Sequence, residues 1–229
     1  MKYKIIGFDA DDTLWVNEPF YRETEFLFAE ILKSYLPEED IIHQLFETEM
    51  SNLQLYGYGA KGFVLSLIET AIKISNHSIP AYKIEEIIHL GKELLNKPIE
   101  LLDDVKKVLV NLSQRYPLII ATKGDLLDQE RKLKKSGLSH FFHHIEIMSD
   151  KKEENYLKLL QNLGIKPEDF LMIGNSLKSD IIPVLEIGGN AIYVPFHTSW
   201  IHEEVKADVI EQFEYKTVNS ISEILDIIK

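Results

Sequence analysis

The sequence predicts an α/β protein: a doubly wound, Rossmann-like parallel sheet with an all-helical domain inserted after the first strand. Two patterns lead to this reading. Short, nearly all-apolar runs ended by small or acidic residues alternate with longer amphipathic stretches at helical spacing, as in a sheet covered by helices on both faces. Between the first and second of these runs, about residues 16–98 contain only helical periodicity. Composition agrees, since 45% of the 229 residues are hydrophobic and 27% charged, with 11 Gly and 8 Pro. That is too apolar for a disordered chain and too poor in breakers for a fibrous one. The length suits one large domain or a core carrying a smaller inserted one.

The expected strands are Lys4–Phe8, Leu118–Ala121, Ile145–Met148, Phe170–Ile173 and Ala191–Val194. The expected helices of the insertion are Tyr21–Leu36, Glu38–Leu55, Phe63–Ile74 and Tyr82–Leu95. Turn chemistry marks both crossings, Asn17-Glu18-Pro19 on the way in and Asn96-Lys97-Pro98 on the way out. The core is therefore placed at residues 1–16 and 99–229 and the helical domain at 17–98, with no internal repeat and no low-complexity tract.

Several function classes are disfavoured at once. The absence of Cys removes disulfide staples, thiolate zinc sites and a Cys nucleophile. A net charge of −12 repels nucleic acid and anionic membrane surfaces, so neither is expected as a partner, and an anionic substrate needs a local cation. No run reaches the roughly 18 apolar residues of a spanning helix. The apolar stretch behind Met1-Lys2-Tyr3-Lys4 stops at Asp9, far short of a signal peptide core, and a cytoplasmic location is expected.

The chemistry gathers where the apolar runs end. Asp9 and Asp11 follow the first run, and in an extended chain alternate side chains share a face, so both carboxylates are expected at one locus beyond the strand's carboxyl end. Ligands of open α/β sheets bind there. Two carboxylates held together require a cation between them or a proton on one, and both outcomes serve phosphoryl transfer. A solvated turn is the plainer alternative. A calcium loop fails, because its sixth and twelfth places hold Leu14 and Phe20 instead of Gly and Glu.

Asp9-x-Asp11-x-Thr13 after an apolar strand resembles the first motif of the haloacid dehalogenase-like (HAD) hydrolase superfamily, and three further motifs follow in order. Leu118-Ile119-Ile120-Ala121-Thr122 resembles the strand ending in Thr or Ser. Lys151 or Lys152 resembles the lysine at the start of a helix, with spacing to Tyr156 favouring Lys151. Gly174-Asn175-Ser176-Leu177-Lys178-Ser179-Asp180 resembles the Gly-Asp-x-x-x-x-Asp loop. The resemblance spans Lys4 to about Val194 and includes the insertion point of the family's helical cap.

Carried over by position, the resemblance implies a phosphatase acting on a small phosphorylated metabolite. Asp9 becomes the nucleophile and Asp11 the general acid and base, the latter pointing to phosphate esters rather than carbon–halogen bonds. Thr122 and the backbone N–H groups of Lys123 and Gly124 are implied to hold the phosphoryl group, and Lys151 to neutralise its charge. Mg²⁺ is implied on Asp9, the backbone carbonyl of Asp11, Asn175 and Asp180. A phosphomutase shares all four motifs. A phosphoryl-accepting signalling module is a different class with similar residues, but its accepting Asp ends a later strand and it lacks a cap of this size.

Two positions depart from the family pattern. Asp12 stands where Gly is usual and is read as tolerated. Asn175 replaces an Asp, which still offers an oxygen to a hard cation but no charge, or acts as a helix N-cap with Ser176. Specificity is expected from Asn17, Phe20, Tyr21, Tyr58 and Lys61. The string Gly57-Tyr58-Gly59-Ala60-Lys61-Gly62 fits the dinucleotide fingerprint in letters, but it follows a helix and reads as a helix–helix turn. The histidines, among them His143, His144, His197 and His202, read as surface or half-buried groups, and Lys132, Lys134 and Lys135 as a solvated basic edge.

Overall fold

The computed structural model describes residues 2–198, 200–203 and 205–228; Met1 and Lys229, the outer limits of the expected core span, lie outside them. Six strands form one sheet: β1 Ile5–Phe8, β2 Leu118–Lys123, β3 Phe142–Met148, β4 Phe170–Gly174, β5 Asn190–Tyr193 and β6 Lys216–Thr217. All pair parallel in the order β3-β2-β1-β4-β5-β6. Winding reverses at β1, so the ends of β2 and β4 flank its carboxyl end, the crevice where α/β sheets place ligands.

Alternation along β1 decides what each face of the sheet packs. Ile6 and Phe8 join a core cluster with Val105, Val108 and Leu109 of helix α5 (Val105–Ser113). The opposite face carries Ile119, Ala121, Phe170 and Met172 against Tyr156, Leu159 and Leu160 of helix α7 (Glu153–Leu163). Burying each large apolar side chain contributes about 1.5–3 kcal/mol. Gly7 points to this second face beneath the Phe170 ring, and a Cβ there would come within 2.6 Å of the ring edge. Outer strands depart from the expected continuous apolar pattern. β3 starts three residues earlier than predicted and, at the end of the sheet, exposes His143 and Ile145; β6 is two exposed residues with no apolar signal to read.

The chain divides into two compact units. One contains the sheet and runs to Glu18, through Ile99–Lys123, and onward from Glu130; the other is Pro19–Pro98 together with Gly124–Gln129. Helices α1 Glu18–Leu32, α2 Glu38–Tyr56, α3 Ala60–Ile74 and α4 Ala81–Asn96 account for the second unit's fold. Its core joins Phe28, Leu32, Ile41, Leu45, Phe63, Leu67 and Ile87. α1 begins three residues before the expected Tyr21, since Pro19 is tolerated in a first turn. It ends at Leu32, short of Leu36, whose following Pro37 disfavours helical backbone. Helix α6 is Leu126–Ser136, and the small helices α8 Ile182–Glu186, α9 Ala207–Ile210 and α10 Ile224–Ile227 complete the chain. Among the described residues no helix is long and apolar enough to cross a membrane.

Close packing of α3 on α4 depends on Gly91, where a Cβ would come within 2.2 Å of Val64 Cγ2. Gly91→Val is expected to cost about 1–3 kcal/mol in urea unfolding, with Val64→Ala in the same chain recovering most of it. An unchanged unfolding midpoint for Gly91→Val would contradict this packing.

Candidate active site

Asp9 follows β1 directly, and its N–H donates to Ile173 O at 2.9 Å, which carries the β1–β4 pairing one residue past the strand. Lys151, just before α7, donates to Asp9 Oδ1 at 2.5 Å and to Asp180 Oδ1 at 2.6 Å. Asp180 lies on a π-helical turn, Leu177–Ile181, after β4, and its Oδ2 accepts the Ser176 N–H at 3.0 Å. Gly174 makes room for it, since a Cβ there would come within 2.3 Å of Asp180 Oδ2. Three strand ends thus converge on one ammonium. Lys152 is instead exposed and pairs with Asp150 at 2.9 Å.

All three charged side chains of this triad are buried. Burial alone would lower the Lys151 pKa, but Asp180 and Asp9 outweigh it and hold the ammonium well above its ordinary value. Burial, opposed by Lys151 and reinforced by Asp180 and Asp11, pushes Asp9 up to about 7. A divalent cation beside Asp9 would lower it again.

The other Asp9 oxygen accepts from Thr13 Oγ1 at 3.1 Å. Here Asn175 enters: one terminal atom of its amide lies 3.1 Å from Thr13 Oγ1, 3.2 Å from Asp9 Oδ2 and 3.1 Å from the backbone oxygen of Asp11. Two of these neighbours are pure acceptors, so the amide nitrogen takes this position and donates. The same amide turned over would give three oxygens converging on one point, a donor set suited to a hard cation. The residues present therefore fit Mg²⁺ through Asp9, the Asp11 carbonyl and Asn175.

The Asp9 and Asp11 carboxylates take different hydrogen-bond partners, and the strand ends at Phe8, so strict alternation stops before Asp11, while the Asp11 charge still acts on Asp9. Asp11 accepts from Trp15 Nε1 at 2.7 Å and from Lys132 Nζ at 3.0 and 3.1 Å. Lys132 is therefore not on a solvated face: it turns inward from α6 and also donates to Asn17 Oδ1 at 2.7 Å, occupying a residue expected to read substrate. Asp180, expected among the cation ligands, has Oδ1 on Lys151 and Oδ2 on the Ser176 N–H, just as both Asp9 oxygens accept hydrogen bonds. Asp12 does more than fit a turn, since its carboxylate accepts the N–H groups of Asn17 and Glu18 where α1 begins.

Thr122 is buried at the end of β2, with Lys123 completing the strand. Gly124 opens the short segment that belongs to the helical unit and has φ 133°, a conformation suited to glycine. In the helical unit Tyr58 sits on the α2–α3 turn and Lys61 in the first turn of α3, where its Nζ pairs with both oxygens of Asp125 at 2.9 and 3.0 Å. Phe20 and Tyr21 pack against the helical core, Tyr21 on the Phe63 ring at 5.1 Å. Sequence reasoning also missed Glu203, which accepts from Lys123 Nζ at 2.6 Å, from Ser179 Oγ at 2.5 Å and from Ser176 Oγ.

A Rossmann-like sheet with a helical insertion and a lysine-bridged aspartate at the first strand defines a hydrolase class. The family model described as haloacid dehalogenase-like hydrolase matches residues 3–188, and the chain belongs to that family. The crystal structure of a haloacid dehalogenase-like family hydrolase from Xanthomonas campestris is 38% identical, with TM-score 0.88, covering 99% of this chain and 91% of that one. N-acylneuraminate-9-phosphatase of Mus musculus is 27% identical over 213 residues, 88% of this chain and 84% of the relative. Glyceraldehyde 3-phosphate phosphatase of Methanopyrus kandleri is 26% identical over 194 residues, 78% of each. The putative HAD-hydrolase YfnB of Bacillus subtilis, whose structure is described as bound to magnesium, shares the fold at 18% identity and TM-score 0.67, covering 99% of each chain.

Burial, then the neighbouring Asp11 charge, push Asp12 up to about 7 against the lowering effect of the Asn17 and Glu18 N–H groups. A raised folded-state pKa stabilises fully below the ordinary carboxylate pKa of 3.8 and ceases to do so as pH rises through about 7. Asp12→Asn keeps an acceptor and tolerates left-handed backbone. Its unfolding midpoint relative to the parent chain is therefore expected to rise between pH 5 and pH 8; parallel profiles would refute the assignment.

Proposed function

We propose that this HAD-family hydrolase cleaves small phosphate monoesters in a Mg²⁺-dependent reaction through an aspartyl-phosphate on Asp9. The observation that carries this reading is the Lys151-bridged Asp9, with the Asn175 amide and the Asp11 carbonyl on its other side. Mg²⁺ held by Asp9, the Asp11 carbonyl and Asn175 would supply electrophilic stabilisation of the phosphoryl oxygens. Lys151 keeps Asp9 aimed and adds positive charge where the oxygens gather it. Asp180 keeps Lys151 charged and in place.

In the first half-reaction an Asp9 oxygen bonds to phosphorus, the bond from phosphorus to the ester oxygen breaks, and Asp11 gives that oxygen a proton. In the second, a water oxygen bonds to phosphorus, its proton passes to Asp11, and the aspartyl–phosphorus bond breaks to return Asp9 and release phosphate. Thr122 and the N–H groups of Lys123 and Gly124 hold the phosphoryl oxygens. An acid at position 11 supports ester substrates, whose alkoxide leaving groups need a proton. The named phosphatase relatives support a sugar-phosphate or comparable metabolite as substrate.

Steady hydrolysis of p-nitrophenyl phosphate is expected with Mg²⁺ and not with EDTA, and Asp9→Asn is expected to lower kcat by roughly a thousandfold or more. Metal-independent turnover, or an active Asp9→Asn variant, would overturn the mechanism. Asn175→Asp adds a charge to the cation's donor set and is expected to lower the Mg²⁺ half-saturation concentration by about tenfold; an unchanged value would remove Asn175 from that set.

A further inference from the structure

We infer that Glu203 is a positioning residue that braces the phosphoryl-binding end of β2 against the loop after β4, an inference that rests on the function proposed above. Glu203 belongs to neither of these segments. It arrives on a short turn, Ile201–Glu203, that follows β5. One carboxylate oxygen takes Lys123 Nζ at 2.6 Å, from the residue after Thr122. The other takes the Ser179 hydroxyl at 2.5 Å and the Ser176 hydroxyl, which flank Asp180 and Asn175. Lys123 Nζ also donates to Ser179 Oγ at 2.8 Å, closing the bridge directly.

The turn that delivers Glu203 is itself anchored to the β4 loop. Lys178 Nζ donates to the His202 carbonyl oxygen at 2.7 Å, and the Glu203 N–H donates to Trp200 O at 2.9 Å. Lys123 and Glu203 each expose only 15% of their side chains. Burial alone would raise the Glu203 pKa; Lys123 and the hydrogen bonds from Lys123, Ser176 and Ser179 pull it down to about 2, so it is charged throughout the neutral range.

The consequence for the reaction follows from what each braced segment holds. The Lys123 side chain is tied away to Glu203, so this residue meets a phosphoryl group by its backbone N–H, and the tie holds the β2 end to the turn carrying Glu203. Ser176 and Ser179 fix the loop that carries Asn175 and Asp180. Removing the carboxylate would take from the Lys123 ammonium the charge partner at 2.6 Å and loosen the β2 end relative to the β4 loop, while Lys151, Asp9 and Asp11 keep their own contacts. Binding of the phosphoryl group and of the cation should therefore suffer more than the chemical steps.

The test compares the full chain with Glu203→Ala, Glu203→Gln, Lys123→Met and the Glu203→Ala/Lys123→Met double variant. Circular dichroism and thermal melting identify folded proteins, and Glu203→Gln, which keeps the shape and one acceptor, serves if Glu203→Ala does not fold. The expected result for Glu203→Ala is a rise of about tenfold in KM for p-nitrophenyl phosphate, in the orthovanadate inhibition constant and in the Mg²⁺ dissociation constant measured by calorimetry, with kcat falling about threefold or less. Glu203→Gln should lie between it and the parent. In the Lys123→Met background the Glu203→Ala effect on orthovanadate should shrink to about twofold, because the residue it acts through is gone. Constants within twofold of the parent in a folded variant, or independent effects of the two substitutions, would overturn the brace. An inactive parent chain would overturn the proposed function instead.

Discussion

The Lys151 ammonium between Asp9 and Asp180 is the interaction on which the arrangement of the site depends. Two carboxylates and one ammonium buried together leave one negative charge in a region with little water, an arrangement that persists only if its geometry is good and its remaining oxygens are bonded. Those conditions are met by Thr13 on Asp9 and by the Ser176 N–H on Asp180. Each partner follows a different strand, Asp9 β1, Lys151 β3 and Asp180 β4, and the all-parallel order puts those three ends on one side of the sheet.

Around that triad the chain builds outward in two directions. Toward β1, Asp11 is held by Trp15 and Lys132, and Asp12 holds the backbone leading into α1, so both acids are fixed from within the same unit. Toward β4, the π-helical turn places Asp180 inward and the two serines outward to Glu203. Asn175 lies between these two regions. Its amide can satisfy the site by donating to Asp9 and Asp11 or by offering its oxygen to a metal, which an aspartate could not do without repulsion in the metal-free protein.

Much of this was legible in the sequence because the decisive side chains occupy the residues just beyond apolar runs. Asp9, Thr122, Lys151 and Asp180 could be located from motif spacing, and the central strands from continuous hydrophobicity. What was not legible depends on tertiary approach. Lys132 looks like any lysine on a basic helix edge until α6 is seen to turn it toward Asp11. Glu203 lies in a polar stretch with no periodicity and no motif. The separate partners of Asp9 and Asp11 could not be anticipated from strand alternation, because the strand stops at Phe8 and Asp12 reverses the backbone. β6 carries no apolar residue and so no signal of its own.

Asp9 is the proposed phosphoryl acceptor, and Lys151 and Asn175 act through their contacts with it. A crystal structure of the chain grown with Mg²⁺ and beryllium fluoride would test this directly. The account requires beryllium bonded to a carboxylate oxygen of Asp9, with Lys151 beside it and the Asn175 amide oxygen on the metal. Beryllium on Asp11, or a metal bound away from Asn175, would contradict it.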